Sequence, residues 1–371
     1  MAKINRRSFN SKLIKGTIGV ALAGSLPLGY SASCVPPKRK LGIALVGLGE
    51  YSTSMLAPAL TQTTYCELTA IVTGTPEKEK IWADRYNIPK ENIYNYDNFD
   101  DIANNKDVDI IYVVLPNAMH ADFSIRAARA GKHVICEKPM AVSVEEAEAI
   151  IKACKDAKVK LSVGYRLHSE PYTQEVKKMV AEQTFGKTLF ASAEAAYLSG
   201  NNWNQWRFNK ELSGGGALMN MGVYAIQGAL YAIGENPIAV TAQEFSTIPE
   251  KFKDTDETIT AQFEFSNGAT ATIFTSHNAR ADRLYASCEK GWFELDTAYT
   301  YGPLHGRTSR GDEITFPHFS QQAMQMDDFA RHILEGTPNK APGEMGLRDM
   351  KIIKAIYKSI ETKQRVPINL T

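Results

Sequence analysis

Apolar positions along the chain are grouped in two ways, and the grouping changes near residue 165. Before that point, short and wholly apolar runs alternate with stretches of helical period. A strand over 41–46 precedes a helix to about residue 62, a strand over 67–72 a helix over 77–86, and a strand over 109–115 a helix from about 118 to 130. A strand over 133–136 leads to a helix ending near 157, and 160–164 closes the series. Ser143, Val144, Glu145 and Glu146 form a capping box at the start of that last helix. Buried strands joined by helices make a doubly wound parallel sheet covered on both faces, an α/β arrangement.

Beyond 165, a helix over 171–182, a strand over 188–196 and a helix over 217–233 are followed by strands of alternating pattern. These run over 239–245, 258–265 and 269–276, with Asn267-Gly268 as the turn between the last two. Segments 284–288 and 292–295 make a hairpin around Lys290-Gly291, and amphipathic helices over 321–335 and 347–362 finish the chain. The second half therefore reads as an α+β domain on a large open, mostly antiparallel sheet. No internal repeat or low-complexity tract interrupts either half.

Gly47-Leu48-Gly49-Glu50-Tyr51-Ser52 lies where the first strand turns into its helix. Gly47 permits the tight turn, and Gly49 lets backbone approach a pyrophosphate at the positive end of the helix. Ser52 takes the place of the third glycine. In this context the run reads as a dinucleotide site, and the first half as a Rossmann domain. After the second strand comes Val72-Thr73-Gly74-Thr75-Pro76-Glu77-Lys78, without an acidic strand end to hold the adenosine ribose and repel a 2′-phosphate. Hydroxyls of Thr73 and Thr75, amides of the turn at Gly74 and the charge of Lys78 suit that phosphate, so NADP is expected rather than NAD. Glu77 dissents, but at a helix start it serves the helix dipole. Leu115 and Asn117 lie at the edge where a nicotinamide ribose would contact the protein. His120 reads equally as a contact there or as a helix-start residue without a ligand.

The run Gly131 to Met140 carries the sharpest chemistry. Pro139 cannot continue a central strand, so Lys138 stands at the carboxyl end of a buried strand, where open α/β sheets keep their ligands. A lysine there is a fixed donor and a positive charge beside a bound substrate; the other reading is a surface lysine after a strand.

Charge narrows the partners. The chain has 42 Lys and Arg against 41 Asp and Glu in 371 residues, and the first 33 hold five basic residues and no acidic one. Without them 37 basic face 41 acidic residues, so nothing suggests nucleic acid or an anionic membrane. A small molecule is the expected partner. The leader, 1–33, carries Asn5-Arg6-Arg7-Ser8-Phe9 and an apolar run over 17–30 too short to span a bilayer. Ser31 and Ser33 offer a cleavage point before Cys34. This stretch is similar to a twin-arginine export signal, a route for folded proteins, and implies a periplasmic location. Cys34 offers a lipid anchor, with Ser31 where a lipobox has leucine, so anchored and soluble forms both stay open. A linker over 34–40 then separates the leader from a nucleotide-binding domain over 41–164 and a substrate domain over 165–371. The remaining cysteines have no paired spacing, so no metal site or disulfide framework is indicated.

Several runs together carry a resemblance: the first glycine turn, Leu115-Pro116-Asn117 with His120, Ala130 to Ala141, and Gly164-Tyr165-Arg166 with His168. Gln205-Trp206-Arg207 and Gly214 to Tyr224 complete it. The chain resembles the glucose-fructose oxidoreductase, inositol dehydrogenase and rhizopine-catabolism (Gfo/Idh/MocA) family over nearly everything after the leader. The resemblance implies homodimers or homotetramers that pack the open sheets together, and an NADP-dependent oxidoreductase acting on CH–OH groups of sugars. It implies Lys138 as the substrate-orienting lysine and Tyr224 as the acid/base. Thr73, Lys78 and Tyr96 would lie at the 2′-phosphate and adenosine, and Trp206 and Arg207 near the nicotinamide half. Glu137 and Arg166, within the matched runs, join the cofactor contacts.

Oxidising a sugar C1 hydroxyl requires a base at its oxygen. A tyrosine of pKa about 10 is a poor one unless an adjacent ammonium lowers that value, as Lys138 is expected to do. One departure stands out: Asn220 occupies the position four residues before the tyrosine where the family usually has Asp. It shares a helix face with Tyr224 and can hydrogen-bond a sugar hydroxyl, but it cannot ionise. Lys138 would then face no neutralising carboxylate and lower the Tyr224 pKa further. His168 and Glu170 read either as sugar contacts or as solvated loop residues, and Asn201, Asn202 and Asn204 around Trp203 suggest a polar, aromatic-edged sugar site. The expected activity keeps NADP bound and moves hydride from C1 of an aldose to a carbonyl sugar acceptor. Alternatives are an ordinary NAD(P)-dependent sugar dehydrogenase or reductase, an NAD-dependent glycoside hydrolase of the same family, and a non-catalytic sugar-binding protein.

Overall fold

Two sheets carry the chain. A computed structural model describes residues 39–200 and 203–370. The leader, Cys34, Asn201 and Asn202, on which expectations were placed, lie outside the described residues.

The first sheet has six parallel strands: β1 (Leu41–Val46), β2 (Cys66–Val72), β3 (Ile93–Tyr94), β4 (Ile110–Val113), β5 (His133–Cys136) and β6 (Leu161–Val163). Their order is β3-β2-β1-β4-β5-β6, which reverses between β1 and β4 beside the glycine turn. Every residue of β1 and β4 is buried, as wholly apolar runs require. Two-residue β3 is too short to leave a periodic signal and was not expected. The capping box before helix Val144–Asp156 forms: Ser143 Oγ accepts from the Glu146 amide at 3.1 Å, while the Glu146 carboxylate turns back to the amide of Val142, also at 3.1 Å.

The second sheet has nine strands: β7 (Thr188–Leu198), β8 (Pro237–Phe245), β9 (Thr258–Phe265), β10 (Thr270–Ser276), β11 (Asn278–Cys288), β12 (Gly291–Asp296), β13 (Gly306–Thr308), β14 (Glu313–Ile314) and β15 (Val366–Pro367). In the order β14-β13-β12-β11-β7-β10-β9-β8-β15 every pairing is antiparallel except β7 with β10. The α/β class and the mostly antiparallel second sheet are as expected. Helix Val223–Ile233, with every residue buried, packs on this sheet. It continues a π-wound turn, Leu218–Gly222, of the kind often found at functional sites.

The boundary near 164 divides the sheets but not the layers. Helix Gln321–Glu335 returns to the first sheet, where Ala323, Met326 and Phe329 join one core with Ile43, Leu45 and Leu56. Burial of each large side chain there contributes roughly 1.5–3 kcal/mol. Gln325 on the same helix donates to the Tyr112 hydroxyl at 2.8 Å.

Candidate active site

Between the carboxyl ends of the first sheet and the helix that starts at Leu218 lies a cleft of about 720 Å³. Its nucleotide-half wall begins at the glycine turn. Gly47 has φ 91°, and a Cβ there would meet the Val114 carbonyl at 2.4 Å, so only glycine fits. At Gly49 a Cβ would meet nothing, leaving an open approach to backbone. Ser52 Oγ closes the turn by donating to the Gly47 carbonyl at 2.6 Å. Lys78 Nζ donates to the Leu48 carbonyl at 2.8 Å, which holds an ammonium beside that turn. Thr73 Oγ1 accepts from the Thr75 amide at 3.2 Å. Tyr96 lines the cleft, whereas Gly74 lies behind it: a Cβ on Gly74 would stand 2.7 Å from the Tyr96 ring. The set fits a dinucleotide. It joins an open glycine turn, hydroxyls and an ammonium, with no carboxylate at the end of β2.

Leu115, Asn117 and His120 also line the cleft. The Asn117 amide is engaged, with Nδ2 donating to the Ser213 carbonyl at 2.8 Å. His120 decides between its two readings: Nδ1 lies 2.8 Å from the Pro139 carbonyl and Nε2 2.9 Å from the Leu115 carbonyl. A neutral imidazole donates to only one of these two carbonyls, so a single hydrogen bond braces the loop that carries Lys138, and burial draws the ring down to about 4.

The two halves meet at Lys138. Its Nζ donates to the Asn220 carbonyl at 2.8 Å, lies 3.5 Å from Asn220 Oδ1, and stands 4.8 Å from the centre of the Tyr224 ring. Burial, with repulsion from Arg207 and Arg166, draws the ammonium down to about 7 against the pull of Glu137. Tyr224 moves the other way. Burial raises its pKa, Glu137 adds to the rise, and Arg166, 5.1 Å from the ring centre, opposes it. This corrects two expectations. Lys138 does not make Tyr224 acidic, because desolvation of the phenol dominates. Nor is the ammonium without a carboxylate in range: Glu137 pulls on it, although its Oε2 bonds the Lys138 backbone amide at 3.0 Å rather than Nζ, and Tyr112 donates to its Oε1 at 2.6 Å. Burial raises the Glu137 pKa.

Arg166 is buried, donates to the Thr300 carbonyl at 3.2 Å, and bonds the Tyr299 carbonyl and Gln321. Its guanidinium stacks 4.4 Å from the Tyr301 ring, and among the described residues its Nε has no partner. Trp206 and Arg207 line the cleft half-buried, the guanidinium 4.5 Å from the indole.

Two expected sugar contacts lie elsewhere. His168 borders a second cavity of about 630 Å³, with Nε2 at 2.9 Å from Gln227 Oε1 and Nδ1 at 2.6 Å from Lys177 Nζ. Glu170 is the buried N-cap of helix Pro171–Ala181, accepting from the amides of Tyr172 at 2.7 Å and Thr173 at 2.6 Å. Neither lines the cleft, so the backbone turn after β6 aims them away from it. Asn204, at the loop before Trp206, is exposed and outside the lining. In turn the sequence reading missed Tyr51, Tyr197, His277 and Tyr301. Tyr51 sits inside the glycine run and stacks 6.1 Å from Tyr301. Tyr197 and His277 both contact Asn220, but they sit at strand ends where alternation gives no chemical signal. Among the described residues no cluster of His, Cys, Asp and Glu is disposed to hold a metal, and the four described cysteines are buried thiols.

The model of an oxidoreductase family with an NAD-binding Rossmann fold, GFO/IDH/MocA, matches residues 41–165, and that of the GFO/IDH/MocA C-terminal domain matches 173–294. A relative from Haloarcula marismortui, D-xylose 1-dehydrogenase (NADP(+)), is 30% identical over 339 residues, 88% of this chain and 92% of its own. The chain belongs to the GFO/IDH/MocA family. A solved member, the aldose-aldose oxidoreductase from Caulobacter crescentus complexed with glycerol, is 37% identical with a TM-score of 0.86, over 89% of this chain and 100% of that one. Levoglucosan dehydrogenase in complex with NADH and levoglucosan shares the GFO/IDH/MocA fold with a TM-score of 0.77 at 22% identity, over 90% of this chain and 100% of that one. The site is therefore that of an NAD(P)-binding Rossmann oxidoreductase.

Proposed function

We propose that the protein is an exported NADP-dependent sugar oxidoreductase that keeps its cofactor and moves hydride from C1 of an aldose to a carbonyl sugar acceptor. The observation that carries this reading is the meeting of Lys138 and Tyr224 in the cleft that begins at the open glycine turn. The names of two relatives, a xylose dehydrogenase and an aldose-aldose oxidoreductase, support sugars as substrates. Lys78, Thr73 and Thr75, with no carboxylate at the end of β2, support NADP, as does the NADP(+) in the xylose dehydrogenase name.

Bound in the cleft, a nicotinamide supplies the hydride acceptor for one sugar and the hydride donor for the other. Lys138, held near neutrality by burial, takes the proton of the C1 hydroxyl as a free amine. Tyr224 stays protonated and donates a hydrogen bond to a sugar oxygen. In the return half the Lys138 ammonium delivers its proton to the acceptor carbonyl oxygen, so one exchange of sugars leaves the protein as it began.

Retention and export support each other. Free NADP is scarce outside the cytoplasm, and a two-sugar exchange regenerates the bound cofactor without release. Arg6 and Arg7 in the leader support export, with Cys34 as a lipid point if cleavage falls before it. Phe274, Tyr285 and Trp292 share by register the face of the second sheet opposite the buried Ala191, Ala193 and Ala195, which suits a homodimer or homotetramer.

The test uses the purified protein. Nucleotide absorbance should survive gel filtration, one sugar of a panel should reduce the bound cofactor without added NADP, and a second should reoxidise it. Turnover only with added NADP would make the protein an ordinary dehydrogenase. Release of sugar from an aryl glycoside would make it a hydrolase, and sugar binding without any absorbance change a binding protein.

A further inference from the structure

His277 follows β10 and is wholly buried. Its backbone is pinned on both sides: the amide donates to the Glu257 carbonyl at 2.9 Å, and its carbonyl accepts from the amide and hydroxyl of Ser199, each at 2.9 Å. The ring packs edge-on against Tyr197 at 5.3 Å and Phe208 at 5.7 Å, so it cannot swing. Its Nε2 lies 3.0 Å from Asn220 Nδ2.

An amide nitrogen only donates. Nε2 must therefore present its lone pair, which puts the ring proton on Nδ1, an atom without a partner among the described residues. The Tyr197 hydroxyl takes the other amide hydrogen at 3.1 Å. With both hydrogens engaged, this network assigns the rotation of the amide and leaves Oδ1 facing Lys138 Nζ at 3.5 Å. A proton on Nε2 would force the amide over and turn its NH₂ toward the ammonium, donor against donor.

We propose that His277 is a positioning residue: as the Nδ1–H tautomer it fixes the rotation of the Asn220 amide and so presents an oxygen acceptor to Lys138. The proposal rests on the reading of Lys138 as the proton-handling group. The acceptor favours the charged amine and offsets part of the desolvation that draws Lys138 down. Burial, with Arg207 and Lys138 nearby, draws His277 itself down to about 3, which keeps the ring neutral. The charged and titratable groups facing Lys138 are Glu137 on its own loop, His120 behind it, Arg166 after β6, Arg207 before helix Lys210–Ser213, Tyr224, and His277 itself, which is neutral. Both replacements of His277 remove the same ring, so a Lys138 shift seen in the Phe variant and absent in the Gln variant isolates the amide.

Two measurements on the nucleotide-loaded protein test this without turnover. In histidine-labelled protein, the NMR signals that vanish in His277→Gln should report a neutral Nδ1–H ring that does not titrate through the neutral range; an Nε2–H ring or a titrating one overturns the proposal. The pH midpoint for covalent labelling of Lys138 by an amine reagent, read by peptide mass, should fall in His277→Phe by about half a unit, roughly threefold in proton affinity. His277→Gln keeps an acceptor for the amide and should hold the wild-type midpoint. An unmoved midpoint in the Phe variant, or an equal fall in both, overturns the role. Failure of any sugar to reduce the bound cofactor would instead strike the functional reading and leave these two results standing.

Discussion

Lys138 Nζ stands 4.8 Å above the centre of the Tyr224 ring, so the halves of the chain meet as an ammonium over a π face. One desolvated environment moves the two groups in opposite senses, the amine toward neutrality and the phenol toward keeping its proton. Near neutral pH the first holds an available lone pair and the second an available hydrogen.

The rate of sugar oxidation by bound cofactor should therefore rise with pH through a midpoint near 7, because only the neutral amine accepts a proton. In Asn220→Asp a carboxylate beside Nζ favours the ammonium and should carry that midpoint upward by roughly one to three units. Stopped-flow absorbance of the reduced nicotinamide reads both. A midpoint that stays where it was in the Asp variant would reject the electrostatic link.

Lys138→Met should slow reduction by about 10²- to 10⁴-fold while leaving nucleotide bound. Lys138→Arg should be equally slow, since a guanidinium does not give up its proton; a fast Arg variant would mean the lysine acts only as a fixed charge. Tyr224→Phe loses a hydrogen bond to substrate. It should cost about ten- to a hundredfold in rate with the midpoint unmoved.

Cofactor choice should follow the end of β2. Thr73→Asp sets a carboxylate against the additional phosphate and should turn preference from NADP toward NAD by about two orders of magnitude. Lys78→Met should weaken NADP by about tenfold or more and barely touch NAD. Nucleotide titration of the stripped protein gives both ratios; equal losses for the two nucleotides would count against the assignment of the phosphate pocket.

Glu170→Ala removes a cap that serves two buried amides. It should lower unfolding stability by about 0.5–2 kcal/mol in a denaturant titration. The sugar concentration for half-maximal reduction should not change, and a large rise would restore the reading of Glu170 as a sugar contact.

Replacing Arg6 and Arg7 together by Lys should hold the protein in the cytoplasm, as read by cell fractionation. Undiminished periplasmic protein would argue that the leader uses another route.

The parts of the site that lie within one strand and its turn are legible in the order of residues alone. A buried run ending in Gly47 demands a tight positive-φ turn, and Pro139 halts β5 so that Lys138 stands at its end. Contacts across long separations were not. His277 and Asn220 lie 57 residues apart, and nothing local to either announces the other. The direction of the Tyr224 shift was also hidden, because it depends on depth, which the order of residues does not disclose. His168 failed for a geometric reason: the short turn Arg166–His168 sends its first residue to the cleft and its last to another cavity.

Helix Gln321–Glu335 has a practical consequence. An excised cofactor module ending near residue 165 would be stripped of Met326 and Phe329 against Ile43 and Leu45, and of the Gln325 amide that reaches Tyr112 and, through it, Glu137. Any graft of this nucleotide unit onto another scaffold must bring along a piece of chain encoded far downstream, because the two halves are laced together rather than strung in series.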